Sequence, residues 1–291
     1  MKLIEVSHLT KSYGEEKGIF DLSFNINKGE VVGFLGPNGA GKTTTIRNLL
    51  GFIKNHEGSA SIMGFDIDKD QIEIQKITGY LPGEINFIDD LDGSTLIQLV
   101  ADLKGLKDLS YAHELLKLFD LNPKQPIHKM SKGMKQKLGI ILAFFSKPEL
   151  LILDEPSSGL DPLMQQKLIE LILKHKQSGS TILLSSHIFE EVEKTCDRVI
   201  MIKKGRIVAN KSIKELKEIR KKAYEITFES EDELTSFQKE HPLTIKHDLT
   251  AIYELESDLN DLIKILNNYK IKDFARKELQ LEEIFMQYYG E

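Results

Sequence analysis

The chain has 291 residues, which is enough for one large or two smaller domains, and its formal net charge is −6 at pH 7. This acidic balance, without a dominant basic stripe, argues against a protein that binds DNA or RNA, so no nucleic-acid partner is expected. The single cysteine, Cys196, excludes an internal disulfide and a cysteine-only metal site, and it fits a reducing compartment.

Residues 1–222 are predicted to form one α/β unit. Near its start, Leu3–Leu9 and Phe20–Ile26 predict strands of an exposed antiparallel sheet. Later runs are apolar on both faces, which is typical of a parallel sheet covered by helices: Val31–Leu35, Leu150–Leu153, Thr181–Ser185 and Val199–Ile202. Helical spacing of apolar residues predicts a helical insertion at about residues 89–148, with helices at Thr95–Leu103, Tyr111–Phe119 and Lys132–Phe145.

The pattern of predicted strands and helices changes after residue 222, and residues 223–291 are predicted to form a small α+β accessory domain. The expected order is β-α-β-β-α-β, compatible with a ferredoxin-like sandwich, followed by a short helix. Its elements are strand Tyr224–Phe228, helix Glu231–Glu240, strands Leu243–His247 and Ala251–Leu255, helix Asp258–Tyr269, strand Ile271–Leu279 and helix Leu281–Tyr289. The apolar stripe of that last helix either packs on its own sheet or pairs with a second copy of the chain.

A phosphate-binding loop is predicted where residues 36–44 read GPNGAGKTT, which satisfies the pattern G-x-x-x-x-G-K-[ST]. Its glycines let the backbone fold around an anion, and the following helix N-terminus then points at the phosphates. Lys42 suits the β- and γ-phosphates, and the Thr43 hydroxyl suits Mg²⁺. The candidate nucleotide-binding residues of the loop are Gly36, Pro37, Asn38, Gly39, Ala40, Gly41, Lys42, Thr43 and Thr44.

Two adjacent carboxylates end the buried run LLILDEP at 150–156. Asp154 is suited to hold Mg²⁺ through water, and Glu155 is suited to orient or deprotonate an attacking water. Alone, such a pair is more often a solvated strand end. The phosphate loop upstream favours the catalytic interpretation.

Further motifs accompany these two: MSKGMKQKL at 130–138, SSGLDP at 157–162 and SSH at 185–187. Together and in this order, the motifs resemble those of the ATP-binding cassette (ABC) family, over residues 1 to about 215. The resemblance implies a P-loop ATPase domain with a parallel core sheet, an antiparallel β-subdomain and a helical insertion. It also implies ATP and Mg²⁺ as cofactors and ATP hydrolysis as the reaction.

The resemblance assigns roles to residues that composition alone would leave unremarked. Ser131 and Gly133 match the signature loop, which contacts the γ-phosphate of ATP bound to the other subunit. Asp161 matches the loop that couples the two sites, and His187 the switch histidine that supports the base. Tyr13 matches the aromatic residue that stacks on adenine. The predicted catalytic residues are Lys42, Glu155 and His187.

Two positions depart from the family pattern. The usual LSGGQ signature reads Met130-Ser131-Lys132-Gly133-Met134, which keeps the serine and the second glycine. Gly83, in GYLPGE at 79–84, stands where the family usually has a glutamine that contacts Mg²⁺ and the lytic water. A glycine has no side chain for that contact, and the neighbouring Glu84 need not replace it.

The variant motifs and the ending LEEIF at 281–285 resemble the ATPase subunits of bacterial exporters with separate permease subunits. The longest apolar run covers about seven residues, against about 20 for a membrane span, so we expect attachment to the cytoplasmic face of the membrane through that partner. The expected ATPase partner is a second copy or a paralogous subunit. The alternatives are an importer ATPase with a C-terminal regulatory domain and a soluble ABC ATPase that acts on DNA or ribosomes.

Overall fold

The computed structural model describes residues 1–14, 17–88, 90–186, 188–219, 222–241, 244–247, 249–255 and 258–277. The chain divides into two compact units, Met1–Ile213 and Lys214–Glu291. The boundary predicted from the sequence, after residue 222, would cut off the first residue of a strand, Lys222–Phe228.

The first unit alternates strands and helices in chain order. Its strands are β1 (Lys2–Ser12), β2 (Gly18–Asn27), β3 (Val31–Leu35), β4 (Glu57–Ile62), β5 (Phe65–Asp66), β6 (Thr78–Leu81), β7 (Leu150–Asp154), β8 (Thr181–Ser186), β9 (Arg198–Lys203) and β10 (Arg206–Ser212). Its helices are α1 (Lys42–Leu49), α2 (Gln71–Ile77), α3 (Gly93–Leu103), α4 (Ser110–Leu118), α5 (Lys132–Phe144), α6 (Pro162–Gln177) and α7 (Phe189–Thr195). A final helix, α8 (Ile213–Ile219), begins at the division between the units.

Within the described ranges, the strands of the first unit form two sheets. One has the order β2-β1-β4-β5 and is antiparallel, as expected from the first two predicted strands. The other has the order β10-β9-β3-β8-β7-β6, and its strands are parallel except for β10. The parallel arrangement of the four predicted apolar strands is therefore confirmed.

Burial explains why those four strands could be predicted from the sequence. Every residue of β3, β7 and β8 is buried, and so are the four central residues of β9. One face of the parallel sheet shares a core with α1 and the antiparallel sheet, where the ring of Phe34 lies 5.9 Å from that of Phe24. On the other face, a Cβ on Gly33 would meet Val192 of α7. Strands β4, β5, β6 and β10 were not predicted. They are short or lie toward sheet edges, and β10 alternates exposed with half-buried residues, so none carries a continuous apolar run.

The predicted helices between β6 and β7 are present as α3, α4 and α5. Asp92 caps α3 by accepting a hydrogen bond from Thr95 N at 2.7 Å. Lys104, which follows α3, donates from its ammonium to the carbonyls of Gln75 at 3.3 Å and Thr78 at 2.9 Å. This lysine therefore ties the helical insertion to the junction of α2 and β6.

The second unit contains β11 (Lys222–Phe228), α9 (Glu231–Glu240), β12 (Thr244–His247), β13 (Thr250–Leu255), α10 (Leu259–Leu266) and β14 (Ile271–Lys277). The sheet order is β12-β13-β11-β14, with every pairing antiparallel, which is the arrangement of a ferredoxin-like sandwich. Its core includes Ile226, Phe228 and Phe237. The predicted order β-α-β-β-α-β is confirmed, whereas the predicted helix at 281–289 lies outside the described residues.

Hydropathy along the helices gives a further result. In the part of the chain that the structure describes, no helix combines the length and apolar character needed to cross a bilayer.

Candidate active site

The loop of residues 36–41 joins the buried end of β3 to the start of α1, and two of its glycines are required by their neighbours. A Cβ on Gly36 would lie 2.4 Å from the carbonyl oxygen of Ile202, on β9. Gly41, the N-cap of α1, has φ 112°, and a Cβ there would lie 2.7 Å from Ile19. By contrast, a Cβ on Gly39 would meet nothing within 4 Å, although its φ of 79° is positive.

The lysine of the loop is folded back into the space that the loop encloses. Lys42 is 6% exposed, and its Nζ donates to the carbonyl of Gly36 at 2.6 Å and to that of Pro37 at 3.4 Å. Nζ also lies 3.6 Å from Oε1 of Glu155. The ammonium therefore lies between the phosphate loop and the carboxylate of Glu155, the residue that follows β7.

Asp154 is the most buried of the predicted site residues, at 1% exposure. Its Oδ2 accepts a hydrogen bond from Thr43 Oγ1 at 2.8 Å, and its Oδ1 accepts one from Ser185 Oγ. Burial and then the negative charge of Asp154 raise the pKa of the nearby Tyr80 to about 12. The carboxylate is thus oriented by hydroxyls from two different elements, α1 and β8.

Glu155 adopts an uncommon backbone conformation directly after β7. Its φ is 51°, in the left-handed region that a non-glycine residue seldom occupies. Its N–H donates to the carbonyl of Ser185 at 3.0 Å, which extends the β7–β8 pairing by one residue. The turn brings the side chain of Glu155 to the same space as Lys42 and Thr43.

A cleft of about 310 Å³ opens beside these groups. Its walls are formed by Gly18, Asn38, Gly39, Ala40, Gly41, Lys42, Thr43, Thr44, Gly83, Glu155 and Ser158. The structure therefore brings most of the predicted loop together with Glu155. Gly18 was missed because it belongs to none of the motifs, and Ser158 was missed because only Asp161 was given a role in SSGLDP.

The donor set fits a magnesium ion that is bound together with phosphates. Thr43 and Asp154 supply neighbouring oxygens, and oxygen is the ligand that Mg²⁺ prefers. Among the described residues, no group of three or more His, Cys, Asp or Glu side chains could hold a metal by itself. One carboxylate and one hydroxyl suit Mg²⁺, which keeps several waters and takes its other ligands from substrate phosphates.

Gly83 is the cleft residue at the unusual position in GYLPGE. A Cβ there would lie 3.3 Å from Oδ2 of Asp154, so any side chain at this position would begin against that carboxylate. Glu84 is exposed, and within the described residues it does not belong to the cleft walls.

Ser131, Gly133 and Asp161 are not among the described residues that line the cleft. Ser131 is the N-cap of α5, where its Oγ accepts from Met134 N at 3.2 Å. Asp161 caps α6 in the same way, accepting from Met164 N at 3.0 Å. A Cβ on Gly133 would lie 2.9 Å from the carbonyl of Gly159, so α5 begins against the segment that follows β7.

The remaining two predicted residues have different outcomes. Tyr13 is 57% exposed, with Lys11 Nζ 5.6 Å from the centre of its ring, and its ring is available for stacking. It is not among the described residues that line the cleft. His187 lies outside the described residues.

The geometry combines an anion cradle, a cation, an oxygen pair for a divalent metal and a carboxylate that faces them. Such a set binds the phosphates of a nucleotide and can accept a proton from a water that attacks the terminal phosphate.

Comparison with known proteins gives a consistent result. A family model described as ABC transporter matches residues 19–158. The bacitracin transport ATP-binding protein BcrA of Bacillus licheniformis is 36% identical, over 82% of this chain and 79% of its own length. The linearmycin resistance ATP-binding protein LnrL of Bacillus subtilis is 34% identical, over 71% of this chain and 68% of its own length. A solved structure of an ATP-binding subunit of an ABC transporter superposes with a TM-score of 0.70 at 33% identity, and the match covers 75% of this chain and 92% of that one.

Proposed function

The chain belongs to the ABC transporter family of ATP-binding proteins, and from that premise we propose that it is the ATP-hydrolysing subunit of an exporter. Two copies, or one copy and a paralogue, form a head-to-tail dimer that drives separate membrane subunits. ATP hydrolysis itself is the activity of the family. The direction of transport, the dimer and the residue roles are the parts that we propose.

One observation supports the proposed dimer. The phosphate-binding residues form a cleft within one chain, and the described signature residues are not part of that cleft. Lys42, Thr43 and Glu155 line one cleft, whereas Ser131 and Gly133 are not among its described walls. A second copy that presents its Ser131 and Gly133 across this cleft would supply the missing donors to the γ-phosphate. The arrangement then holds two ATP molecules, each between two copies.

In the proposed reaction each residue acts on a stated group. The loop N–H groups and the α1 N-terminus bind the β- and γ-phosphates, and Lys42 exchanges Glu155 for a phosphate oxygen. Thr43 and Asp154 hold Mg²⁺, which neutralises phosphate charge when it is bound. Glu155 accepts the proton of the attacking water, and His187 supports it. Tyr13 stacks on the adenine ring, and Asp161 couples the two sites.

Export is supported by the relatives that the chain resembles over most of its length. One is named for bacitracin transport and another for linearmycin resistance. Removal of a toxic compound from the cell is the simplest route by which a transporter subunit gives resistance. The proposed location is the cytoplasmic face of the membrane, where the chain is held by its membrane partner.

An exposed apolar surface is available for that partner. Phe52, Ile72 and Leu103 are exposed large apolar side chains, with Ile72 at 72% and Leu103 at 78%. They stand on neighbouring segments: a Cβ on Gly51, beside Phe52, would lie 2.5 Å from Gln71, the residue before Ile72. Lys104, which follows Leu103, donates to the carbonyls of Gln75 and Thr78 at the end of the same helix α2. Exposed apolar patches of this kind mark interaction sites. We assign this patch to the membrane subunit.

The test is a deletion of the gene, complemented by the wild-type chain, by Glu155→Gln or by Leu103→Ser. Export predicts that the deletion strain becomes sensitive to bacitracin-like or other amphipathic antibiotics, and that of these three chains the wild type restores resistance whereas Glu155→Gln and Leu103→Ser do not. Leu163→Ser, at an exposed leucine on α6, is the matched control and should restore resistance fully. A deletion strain that instead fails to take up a nutrient would replace export with import.

A further inference from the structure

Glu191 is a buried carboxylate that is not among the described residues lining the cleft, and it contacts both the end of β8 and the segment that follows β7. It stands on α7 and is 3% exposed. Its Oε1 accepts a hydrogen bond from Ser157 Oγ at 2.5 Å, and its Oε2 accepts one from Ser186 Oγ at 2.7 Å. A buried carboxylate is tolerated only where its oxygens are satisfied, so the two hydroxyls are part of what keeps Glu191 in place.

The two serines lie at the carboxyl ends of neighbouring strands of the parallel sheet, one within β8 and one beyond β7. Ser186 ends β8, and Ser157 lies in the segment that follows β7 and Glu155. Strands β7 and β8 are already paired up to Asp154 and Ser185. The carboxylate of Glu191 continues this connection beyond the last backbone pair, because it joins the segment after Glu155 to the end of β8.

That connection bears on Glu155, whose backbone is held in the left-handed region with φ 51°. Such a conformation persists in a non-glycine residue only where its surroundings fix it. On one side of Glu155, its N–H is bonded to the carbonyl of Ser185. On the other side, Gln136 Nε2 donates to the carbonyl of Pro156 at 2.8 Å, and Ser157 is bonded to Glu191.

We propose that Glu191 is a positioning residue for ATP hydrolysis. By holding Ser157 against the end of β8, it keeps the backbone of Glu155 in the conformation that places the side chain in the cleft. Glu191 is not among the described residues that line the cleft, so the proposed effect passes through Glu155. This inference rests on the proposed role of Glu155 as the group that accepts the water proton.

The experiment removes the hydroxyl of Ser157 and leaves the carboxylate of Glu191 in place. Ser157→Ala should lower kcat about tenfold, the scale of losing a hydrogen bond to a charged group, with the Kd for ATP unchanged within about twofold. Ser157→Thr, which keeps a hydroxyl, should restore most of kcat. Thr195→Val is the matched control, because Thr195 Oγ1 donates to the backbone carbonyl of Glu191 at 2.7 Å and lies 3.5 Å from Cys196 Sγ, and the kcat of this variant should stay within about twofold of wild type.

Two further measurements separate this proposal from the one it rests on. In a Glu155→Gln background, Ser157→Ala should cause no additional loss of kcat, since both changes act through one residue. Hydrogen exchange at the amide of Glu155 should be faster in Ser157→Ala than in Thr195→Val, whether or not Glu155 is the base. Normal hydrolysis by Glu155→Gln would show that Glu155 is not the base. The hydrogen-exchange result would then test by itself whether Glu191 positions the backbone of Glu155.

The positioning role is overturned if Ser157→Ala and Thr195→Val have the same kcat and the same exchange at Glu155. It is also overturned if kcat and ATP affinity fall together in Ser157→Ala, because that pattern is expected of a general loss of structure.

Discussion

The two halves of the candidate site are built on different principles. In the phosphate-loop half, side chains bond to each other: Thr43 and Ser185 orient Asp154, and Lys42 lies 3.6 Å from Glu155. In the signature half, Ser131 and Asp161 instead bond to the backbone of their own helices as N-caps. The first half is therefore pre-formed in a single chain, whereas the second offers groups at the ends of helices.

In the proposed dimer, the signature residues of each copy complete the site of the other copy while they remain held by their own helices. Capping uses an acceptor lone pair of Ser131 and does not consume its hydroxyl proton, so the side chain is held still while it keeps a donor for a phosphate oxygen. Substitutions in the first half should therefore act within one chain. Those in the second half should act on the partner.

The largest expected effect is on hydrolysis in the first half. Glu155→Gln should slow steady-state phosphate release about 10²-fold or more while ATP still binds, because an amide cannot accept the proton of the water. Glu170→Gln, at an exposed glutamate on α6, is the control and should be close to wild type. Near-normal turnover of the Glu155 variant would remove Glu155 as the base.

Next in size is the loss of the loop cation. Lys42→Ala should weaken ATP binding about 10- to 100-fold, since it removes a charged donor from the β- and γ-phosphates while the backbone cradle remains. Equilibrium titration with a fluorescent ATP analogue measures the change. An unchanged Kd would show that Lys42 keeps its carbonyl partners, Gly36 and Pro37, when the nucleotide arrives.

The second half can be tested without loss of its helix cap. Ser131→Asp keeps a capping acceptor but sets a negative charge against the γ-phosphate, and it should lower kcat/KM about tenfold. Ser131→Asn, which also caps but is neutral, is the matched control and should lose less. This pair of variants separates the phosphate contact from the stability of α5.

Mixing variants decides whether the halves come from different copies. An equal mixture of Lys42→Ala and Ser131→Asp should recover about a quarter of wild-type activity, because about half of the dimers are mixed and each mixed dimer has one intact site. Phosphate release is measured after the two proteins have equilibrated. A mixture no more active than its components would place both halves of the site in the same chain.

The smallest expected effect is at Gly83, at the edge of the first half. Gly83→Ala places a methyl group 3.3 Å from Oδ2 of Asp154, and this should raise the Mg²⁺ concentration for half-maximal hydrolysis about two- to threefold. ATP affinity without Mg²⁺ should not change. If that affinity changes as well, the methyl group disturbs the loop and not the oxygen pair of the metal site.

The fold was predictable where burial is continuous along the chain. Strands β3, β7 and β8 are buried at every residue, so an apolar run marks each of them. Strand β6, also of the parallel sheet, reads Thr78-Gly79-Tyr80-Leu81 and has no such run. Its place beside β7 follows from tertiary packing, to which local sequence is a weak guide.

The site was predictable where one motif supplies both the residue and its neighbours, as in the loop from Gly36 to Thr44. The contacts that orient the carboxylates were not, because they join residues far apart in sequence. Ser185 bonds Asp154 from another strand, and Gln136 supports the turn after Glu155 from α5. No spacing rule connects such positions without the sheet order.

The two glycines at 36 and 39 would behave differently in a genetic selection. A Gly36→Ala chain has a methyl group 2.4 Å from a backbone carbonyl of β9, so its defect is in folding, and cells would clear much of the protein before it met a nucleotide. Low growth temperature or a stabilising second mutation could rescue such a strain. A Gly39→Asn chain has open space at that position and a residue that tolerates positive φ, so it would accumulate normally. Inactive variants at position 39 are therefore expected to be defective in ligand binding, whereas inactive variants at position 36 are expected to be reduced in the amount of protein.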